Sequence, residues 1–439
     1  MYNELLEKSF HFSFLSLFRG VIGMAVIIFV CWCFSTNRKA INWGTVFKAL
    51  LLQFAIAVSV LAFPAIQSLF EVLGNFFVSV LSWTKAGSNF LFGSFMDSSK
   101  FGFVFVFQIL PTIIFFSALM SLFFYLGIMQ KIVWAMGWIL TKIIKLSGAE
   151  ALTCAGNIFL GQSEAPLMVK EYIPKMTKSE LVLIMTSGMA TMSGGVLAAY
   201  IGMLGGGNQL LELEFAKHLL SSSVMAAPGA IALSKIIMPQ TEPVDNTVAV
   251  SKERLGKNVL DAISNGTADG LKLAANVAAL LLVFYALIAG ANAILGWISF
   301  PAADRFIAEM SGGRYTDLSL EAILAFVFYP VIWLIGVPAD DIGLVGRLLG
   351  EKIILTEFVG YQSMADMLHN GTFSSAKSIV MAAYVLCGFA NFASVGILIG
   401  AVGGMAPQKK YILSQYGLRA MLAAAMVALM SAAMVGMFQ

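Results

Sequence analysis

The chain has 439 residues, of which 59% are hydrophobic and 12% charged, and its mean hydropathy is +0.86. A soluble domain carries about 25% charged residues, so this composition belongs to a polytopic α-helical membrane protein, and a net charge of +3 offers nothing to a nucleic-acid partner. Four cysteines (Cys31, Cys33, Cys154, Cys387) and three histidines (His11, His218, His369) lie scattered, without metal-site spacing, which disfavours a metalloenzyme and suggests core thiols.

The first apolar run, about 14–35, is preceded by no basic n-region or small-residue cleavage site, so no removable signal peptide is expected. A second run covers about 44–64. The short basic loop Thr36-Asn37-Arg38-Lys39 between them predicts a cytoplasmic turn and an external N-terminus. The 65–100 stretch is broken by Trp83-Thr84-Lys85-Ala86-Gly87-Ser88-Asn89 and reads as an external excursion with an interfacial piece. A third span is predicted at about 101–127, kinked at Pro111. In 129–147, Lys131, Lys142 and Lys145 recur among isoleucines and Trp138. This pattern suits an amphipathic helix in the interface, or else a tilted span with snorkelling lysines.

At 149–173 the pattern changes in kind. Gly161-Gln162-Ser163-Glu164-Ala165-Pro166 stands inside apolar sequence, and a carboxylate at mid-membrane costs roughly 2.5–3.5 kcal/mol on insertion scales. The run from Ala149 to Leu160 is about half of the ~20 residues that a span needs. We therefore read 149–173 as a re-entrant hairpin with the polar sextet at its turn. Thr177 and Glu180 have capping-box spacing and predict a helix from Lys178 to about Leu204, interrupted at Thr191-Met192-Ser193-Gly194-Gly195. Further spans are predicted at about 217–238 and 269–296, separated by a polar loop over 239–260. After a polar link at 299–318, residues 319–350 look like a second hairpin with its turn at Gly336–Asp341. A helix interrupted at Thr356–Tyr361 follows, then a span over 378–403 interrupted at Gly388–Ser394, and a last span over about 412–437.

A hairpin followed by a broken helix thus occurs twice, at 149–204 and at 319–368. Interrupted apolar segments in matching positions of two halves point to a transporter built as an inverted repeat, with its site at the repeat interface. Four polar clusters lie at these interruptions: Gln162-Ser163-Glu164, Thr191-Met192-Ser193, Thr356-Glu357, and Asn391 with Ser394. Serine, threonine and asparagine often only bond a neighbouring helix. The two glutamates are functional candidates by default. Together the groups suit a neutral solute bearing hydroxyls or an amide, with Phe389 and Phe392 able to pack on a flat ring. Asn157, Thr191 and the carbonyls of Leu160 and Met192 offer hard oxygens for Na⁺, whereas a protonatable Glu164 or Glu357 would suit H⁺. A channel would need a continuous polar stripe, and two glutamates alone make a weak case for an enzyme.

Three motifs, Gly161-Gln162-Ser163-Glu164-Ala165-Pro166, Glu357-Phe358-Val359-Gly360-Tyr361 and Gly388-Phe389-Ala390-Asn391-Phe392-Ala393-Ser394, resemble those of the concentrative nucleoside transporters. The resemblance runs from about residue 100 to the C-terminus; before that the chain is similar only in having two spans. It implies an all-α protein of eight transmembrane helices, two re-entrant hairpins and an interfacial helix. It further implies a homotrimer in a lipid bilayer whose transport domains move past a scaffold in an elevator motion, the scaffold including the third span and the 217–238 region. Carried over, Gln162, Ser163 and Glu164 would contact the base of a uridine-, cytidine- or adenosine-type nucleoside, with Val196 beside it. Glu357, Asn391 and Ser394 would bind the ribose, with Phe389 nearby, and an apolar contact would come from Leu271–Asn276. Asn157, Leu160, Thr191 and Met192 would hold Na⁺ as coupling ion, H⁺ being the alternative, in a cation-coupled importer of a bacterial inner membrane. The chain departs from the family pattern at Thr356, where asparagine is usual, and at Ser163, where threonine is frequent.

Overall fold

The computed structural model describes residues 14–101, 104–244, 256–311 and 313–438, and all regular structure among them is helical. In chain order the principal helices are α1 (Phe14–Cys33), α2 (Trp43–Ala62), α3 (Pro64–Phe92), α4 (Leu110–Tyr125), α5 (Ile128–Ile144), α6 (Gly148–Asn157), α7 (Lys178–Ala190), α8 (Gly194–Gly205) and α9 (Gln209–Ile237). They continue as α10 (Val259–Ile298), α11 (Pro301–Met310), α12 (Leu320–Ile335), α13 (Ile342–Ile354), α14 (Glu357–His369), α15 (Ala376–Leu386), α16 (Phe392–Met405) and α17 (Lys410–Gly436).

Among the described residues, eight helical stretches are long and apolar enough to cross a membrane. One of them, Pro64–Met96, contains the region expected to be an external excursion. Two of the polar residues that broke the sequence pattern face inward there, while Lys85 and Asn89 are exposed. Thr84 and Ser88 are buried, Thr84 Oγ1 donates to the carbonyl of Val80 at 2.8 Å, and Lys85 pairs with Glu212 at 3.5 Å. The predicted span at 378–403, interrupted at Gly388–Ser394, is the broken pair α15 and α16. The third span runs Phe105–Tyr125 and its helix is interrupted at Ile109, with Pro111 in the first turn of the part that follows, α4, where a missing N–H costs nothing. The predicted link at 299–318 contains α11, and most of the predicted loop at 239–260 lies outside the described residues. Of the four cysteines three are buried, and Cys33 is exposed.

Local chemistry sets the boundaries around the hairpin. Lys145, in the left-handed region at φ 63°, ends α5. Capping boxes at Ser147–Glu150 and Thr177–Glu180 then start α6 and α7. Helix α5 is amphipathic as expected: Met129, Val133, Gly137, Leu140 and Ile144 are buried, while Trp134 and Trp138 are exposed and Lys142 Nζ lies 4.8 Å from the Trp138 ring. Gly137 lets α5 lie close on α6, since a Cβ there would stand 3.1 Å from Leu152.

The centre of the molecule is α7, α8 and α9, whose apolar windows are 94% buried. Helix α10 is the opposite case: its apolar window is 11% buried, and at 40 residues it measures about 60 Å. It lies along α4 through Gly266 and Gly270, where a Cβ would come within 2.8 Å of Ser117, Ser121 or Ile114 atoms. Further along it Leu282, Leu287 and Trp297 are exposed, while its N-terminal half also exposes Asp269 and Lys272.

Element order repeats. The first unit is α6, the turn at 158–164, two 3₁₀ segments (Ala165–Val169 and Ile173–Lys175) shaped by Pro166 and Pro174, the broken pair α7/α8, and α9. Its counterpart is α13, the turn at 355–356, α14, the broken pair α15/α16, and α17. The second unit therefore begins one helix later than the sequence suggested. Helices α12 and α13 do form a helix–turn–helix, but its turn is braced rather than open. Buried Asp341 accepts from Ser374 N and Oγ and from Ser375 N at 2.7–3.2 Å, and faces Arg314 at 3.5 Å.

Candidate functional site

The two turns and the two breaks converge. Gly388, at φ +84°, lies against the first break: a Cβ there would be 2.5 Å from the carbonyl oxygen of Ala190. From the first turn, Gln162 Nε2 donates to Ser394 Oγ at 3.2 Å. Asn391 is the N-cap of α16, its Oδ1 accepting from Ser394 N at 2.8 Å. Its Nδ2 donates to Glu357 Oε2 at 2.6 Å, and Glu357 opens α14 at the second turn. The other carboxylate oxygen, Oε1, faces the Tyr200 hydroxyl at 3.5 Å, the limit of a hydrogen bond. Four residues singled out in the sequence (Gln162, Glu357, Asn391, Ser394) thus form one buried polar chain drawn from both halves. Among the described residues Gln162 Oε1 is buried and without a partner, so the chain retains an acceptor beside the weakly bonded Oε1 of Glu357.

The remaining candidates fall around this chain. Phe389 is buried in the second break, and Val196 is buried in the first turn of α8; Phe392 is 55% exposed. Ser163 is half-buried. Thr356 is buried at the N-cap of α14 and makes no capping bond through its side chain. Glu164 does not join Glu357. It accepts from Gly161 N at 3.2 Å and faces a cavity of about 680 Å³, lined also by Phe116, Ser193, Asn265, Asp269 and Leu273. A cavity of this size takes a small-molecule ligand. Of the Leu271–Asn276 stretch, Lys272 and Leu273 reach it.

The residues read as ion ligands share a second pocket of polarity behind the first turn. Asn157 is buried at the end of α6, and its Nδ2 donates to Ser187 Oγ at 2.8 Å. Its Oδ1 is buried and, among the described residues, has no partner. Thr191 Oγ1 donates to Ser187 O at 2.8 Å, which leaves its lone pairs free. The carbonyls of Ile158 and Phe159 are taken by Ser223 Oγ at 3.1 Å and Gly194 N at 2.9 Å. Among the described residues no hydrogen bond reaches the carbonyls of Leu160 or Met192. An orphaned amide oxygen beside free carbonyls costs energy unless something positive meets it, and hard oxygens of this kind fit Na⁺.

Sequence reasoning missed Tyr200, which stacks on Tyr361 at 3.9 Å and approaches Glu357. It stands one turn beyond Val196 on α8, and that spacing was the available signal. It also missed Lys352, whose ammonium donates to the carbonyls of Val385 and Cys387.

Comparison with known proteins shows the family. Residues 218–436 match the family profile described as Na⁺ dependent nucleoside transporter C-terminus, residues 22–95 its N-terminus counterpart, and residues 106–207 a profile described as nucleoside recognition. The chain is 38% identical to an uncharacterized transporter of Haemophilus influenzae, over 97% of this chain and 98% of that protein. It is 37% identical to nucleoside permease NupC of Helicobacter pylori, over 97% and 98%. With sodium/nucleoside cotransporter 1 of Rattus norvegicus it shares 36% identity over 94% of this chain and 62% of that protein. It superposes on a structure of CNTnw in an inward-facing substrate-bound state with a TM-score of 0.85 at 36% identity, covering 96% of this chain and 98% of that one. An outward-facing form of a CNTnw variant gives 0.86. The similarity therefore includes the first 100 residues, which by sequence resembled the family only in their two spans.

Proposed function

The chain belongs to the Na⁺-dependent nucleoside transporter family, a family of multi-pass membrane transporters rather than enzymes, and from that premise we propose that it is a Na⁺-coupled symporter importing nucleosides across a bacterial inner membrane. The observation that carries this reading is the Gln162–Ser394–Asn391–Glu357 chain, whose second carboxylate oxygen meets the Tyr200 hydroxyl at 3.5 Å, the limit of a hydrogen bond. Two adjacent ribose hydroxyls donate to Glu357 and bond Asn391 and Ser394, which keep spare capacity at their side chains. The base meets Gln162, Ser163 and Glu164 on the first turn, with Val196, Phe389 and Leu273 supplying apolar surface. Sodium binds Asn157 Oδ1, Thr191 Oγ1 and the carbonyls of Leu160 and Met192. This ties α6 to the α7/α8 break and fixes the turn that presents Gln162.

Both turns are re-entrant hairpins in this reading, because the polar chain must meet the substrate within the membrane. Helices α4 and α10 form the scaffold of a homotrimer, which gives the exposed apolar length of α10 a partner in neighbouring subunits and lipid. Helix α9 travels with the transport body instead of belonging to the scaffold. It is buried at the centre and is bonded to the first hairpin through Ser223–Ile158 and the Lys235–Glu150 ion pair. An elevator movement of that body carries substrate and ion across together.

The test is uridine binding by calorimetry to the full chain in lipid nanodiscs, in sodium chloride and in choline chloride. Binding that requires Na⁺ and is weakened for 2′,3′-dideoxyuridine is expected. No uridine binding in Na⁺ would overturn the reading.

A further inference from the structure

Lys352 is a charged group that substrate and ion binding, as described, leave unused. It lies near the end of α13 and is 0% exposed. Its ammonium donates to the carbonyl of Val385 at 3.0 Å and to that of Cys387 at 2.5 Å. Among the described residues no carboxylate lies within 4.0 Å of it. A buried ammonium with no carboxylate in direct contact is costly, although the charge of Glu357 acts on it from further away. Its partners are carbonyls at the open C-terminal end of the half-helix α15, where the helix dipole is negative and the last carbonyls lack intrahelical donors.

The repeat gives this contact its meaning. In the first unit, the arm α6 ends on Asn157, which bonds Ser187 in the last turn of α7, just before the break; in the second, the arm α13 ends near Lys352, which bonds the last carbonyls of α15 at its break. The two breaks lie back to back through Gly388 and the Ala190 carbonyl, and Cys387 Sγ stands 4.0 Å from that same oxygen. At the first break, Asn157 Oδ1 is orphaned and the carbonyls of Leu160 and Met192 are unbonded. At the second break, the equivalent negative end is already covered by a cation that belongs to the chain.

We propose that Lys352 is a resident cation: its ammonium occupies, at the break of the second unit, the place that a coupling ion takes at the break of the first. This inference rests on the reading of Asn157 as the ion site. Lys352 is a positioning residue, since it touches no substrate. It fixes the end of α15, and so the Gly388–Asn391 segment that delivers Asn391 to Glu357. With the second place permanently filled, the protein carries one Na⁺ per nucleoside. Removing the ammonium leaves a cavity that accepts a small monovalent cation.

The test compares Lys352→Ala and Lys352→Met with the natural chain in nanodiscs, by uridine calorimetry across a Na⁺ series and with added ethylammonium chloride. The natural chain must first bind uridine in Na⁺; failure there would count against the nucleoside reading and not against this inference. Both variants should weaken uridine binding by roughly tenfold or more, the effect of losing two charge-assisted hydrogen bonds at a positioning group. Ethylammonium should restore binding in Lys352→Ala, where the side chain leaves room, and not in Lys352→Met, where methionine fills it. The Na⁺ dependence of Lys352→Ala should also steepen from first order towards second order. Unchanged affinity in both variants, or a loss in Lys352→Ala that neither ethylammonium nor high Na⁺ reverses, would overturn the proposal. A readout independent of variant folding is the paired flux of labelled Na⁺ and uridine into proteoliposomes of the natural chain. One ion per nucleoside is expected, and two would overturn the proposal.

Discussion

Glu357→Gln is the perturbation that isolates the carboxylate most cleanly, because it keeps the side-chain volume in a site that is 4% exposed. In the natural chain, Oε2 is committed to Asn391 Nδ2 at 2.6 Å, while Oε1 has only the distant Tyr200 hydroxyl at 3.5 Å. Oε1 is the oxygen free to accept from ribose. Hydrogen bonds to a charged group contribute about 1.5–3 kcal/mol each, so two of them are worth roughly 3–6 kcal/mol, or about 10²- to 10⁴-fold in affinity. A glutamine must keep its oxygen towards the Asn391 amide, since two NH₂ groups would otherwise face each other. It then presents its own NH₂ to the ribose, which the hydroxyls can accept. That residual bonding places the expected loss at the lower end, about 100-fold. The assay is uridine calorimetry beside 2′,3′-dideoxyuridine, with the thermal transition as a control for folding. The dideoxy compound lacks both hydroxyls and should bind the natural chain and the variant alike. Uridine binding within about threefold of the natural chain, or an equal loss for both ligands, would refute the ribose assignment.

Asn157→Ala removes the orphaned oxygen, and the Na⁺ concentration for half-maximal uridine binding should rise by about tenfold; an unchanged Na⁺ titration would remove Asn157 from the ion site. Gly388→Ala puts a Cβ 2.5 Å from the Ala190 carbonyl oxygen at a residue with φ +84°. The left-handed conformation alone costs about 1–2 kcal/mol, so thermal stability and uridine binding should fall together, and a protein of normal stability would mean that the breaks can separate without penalty. Lys235→Met strands the Glu150 carboxylate, which is 2% exposed and bonded to Lys235. A loss of about 3–5 kcal/mol in stability is expected, read as a lowered unfolding temperature. The further change Glu150→Gln should recover part of it, and no recovery would show that the pair does not act as a unit.

Much of the site was legible because its residues are expensive where they stand. Glu164 and Glu357 drew attention as carboxylates in apolar sequence, and Gln162, Asn391 and Ser394 as polar neighbours of glycine breaks. Which of them meet was not legible. The Gln162–Ser394 bond spans 232 positions and the Asn391–Glu357 bond 34, and neither has a local period. Nor was it legible that Glu164 would face the cavity instead of Glu357. Around the site, a polar residue on a helix gives no sign of which way it faces. The polar stretch Trp83–Asn89 therefore made 65–100 read as an external excursion with an interfacial piece, although Thr84 and Ser88 are buried against the core. Lys235 and Lys352 drew no attention in the sequence, because a lysine near the end of an apolar run gives no sign that its ammonium turns inward. The second unit was placed one helix early because Gly336–Asp341 has the composition of an open turn. Its polar character serves instead the brace from Asp341 to Ser374 and Ser375.

The central claim, that this chain moves nucleosides with Na⁺, is tested most directly by uridine uptake into proteoliposomes under an imposed Na⁺ gradient, beside an imposed H⁺ gradient. Accumulation above the external concentration driven by Na⁺ alone, and lost in Glu357→Ala while the oligomer stays intact, is the predicted result. Accumulation driven by H⁺ alone would contradict the ion site at Asn157 and Thr191, and no accumulation under either gradient would contradict nucleoside symport itself.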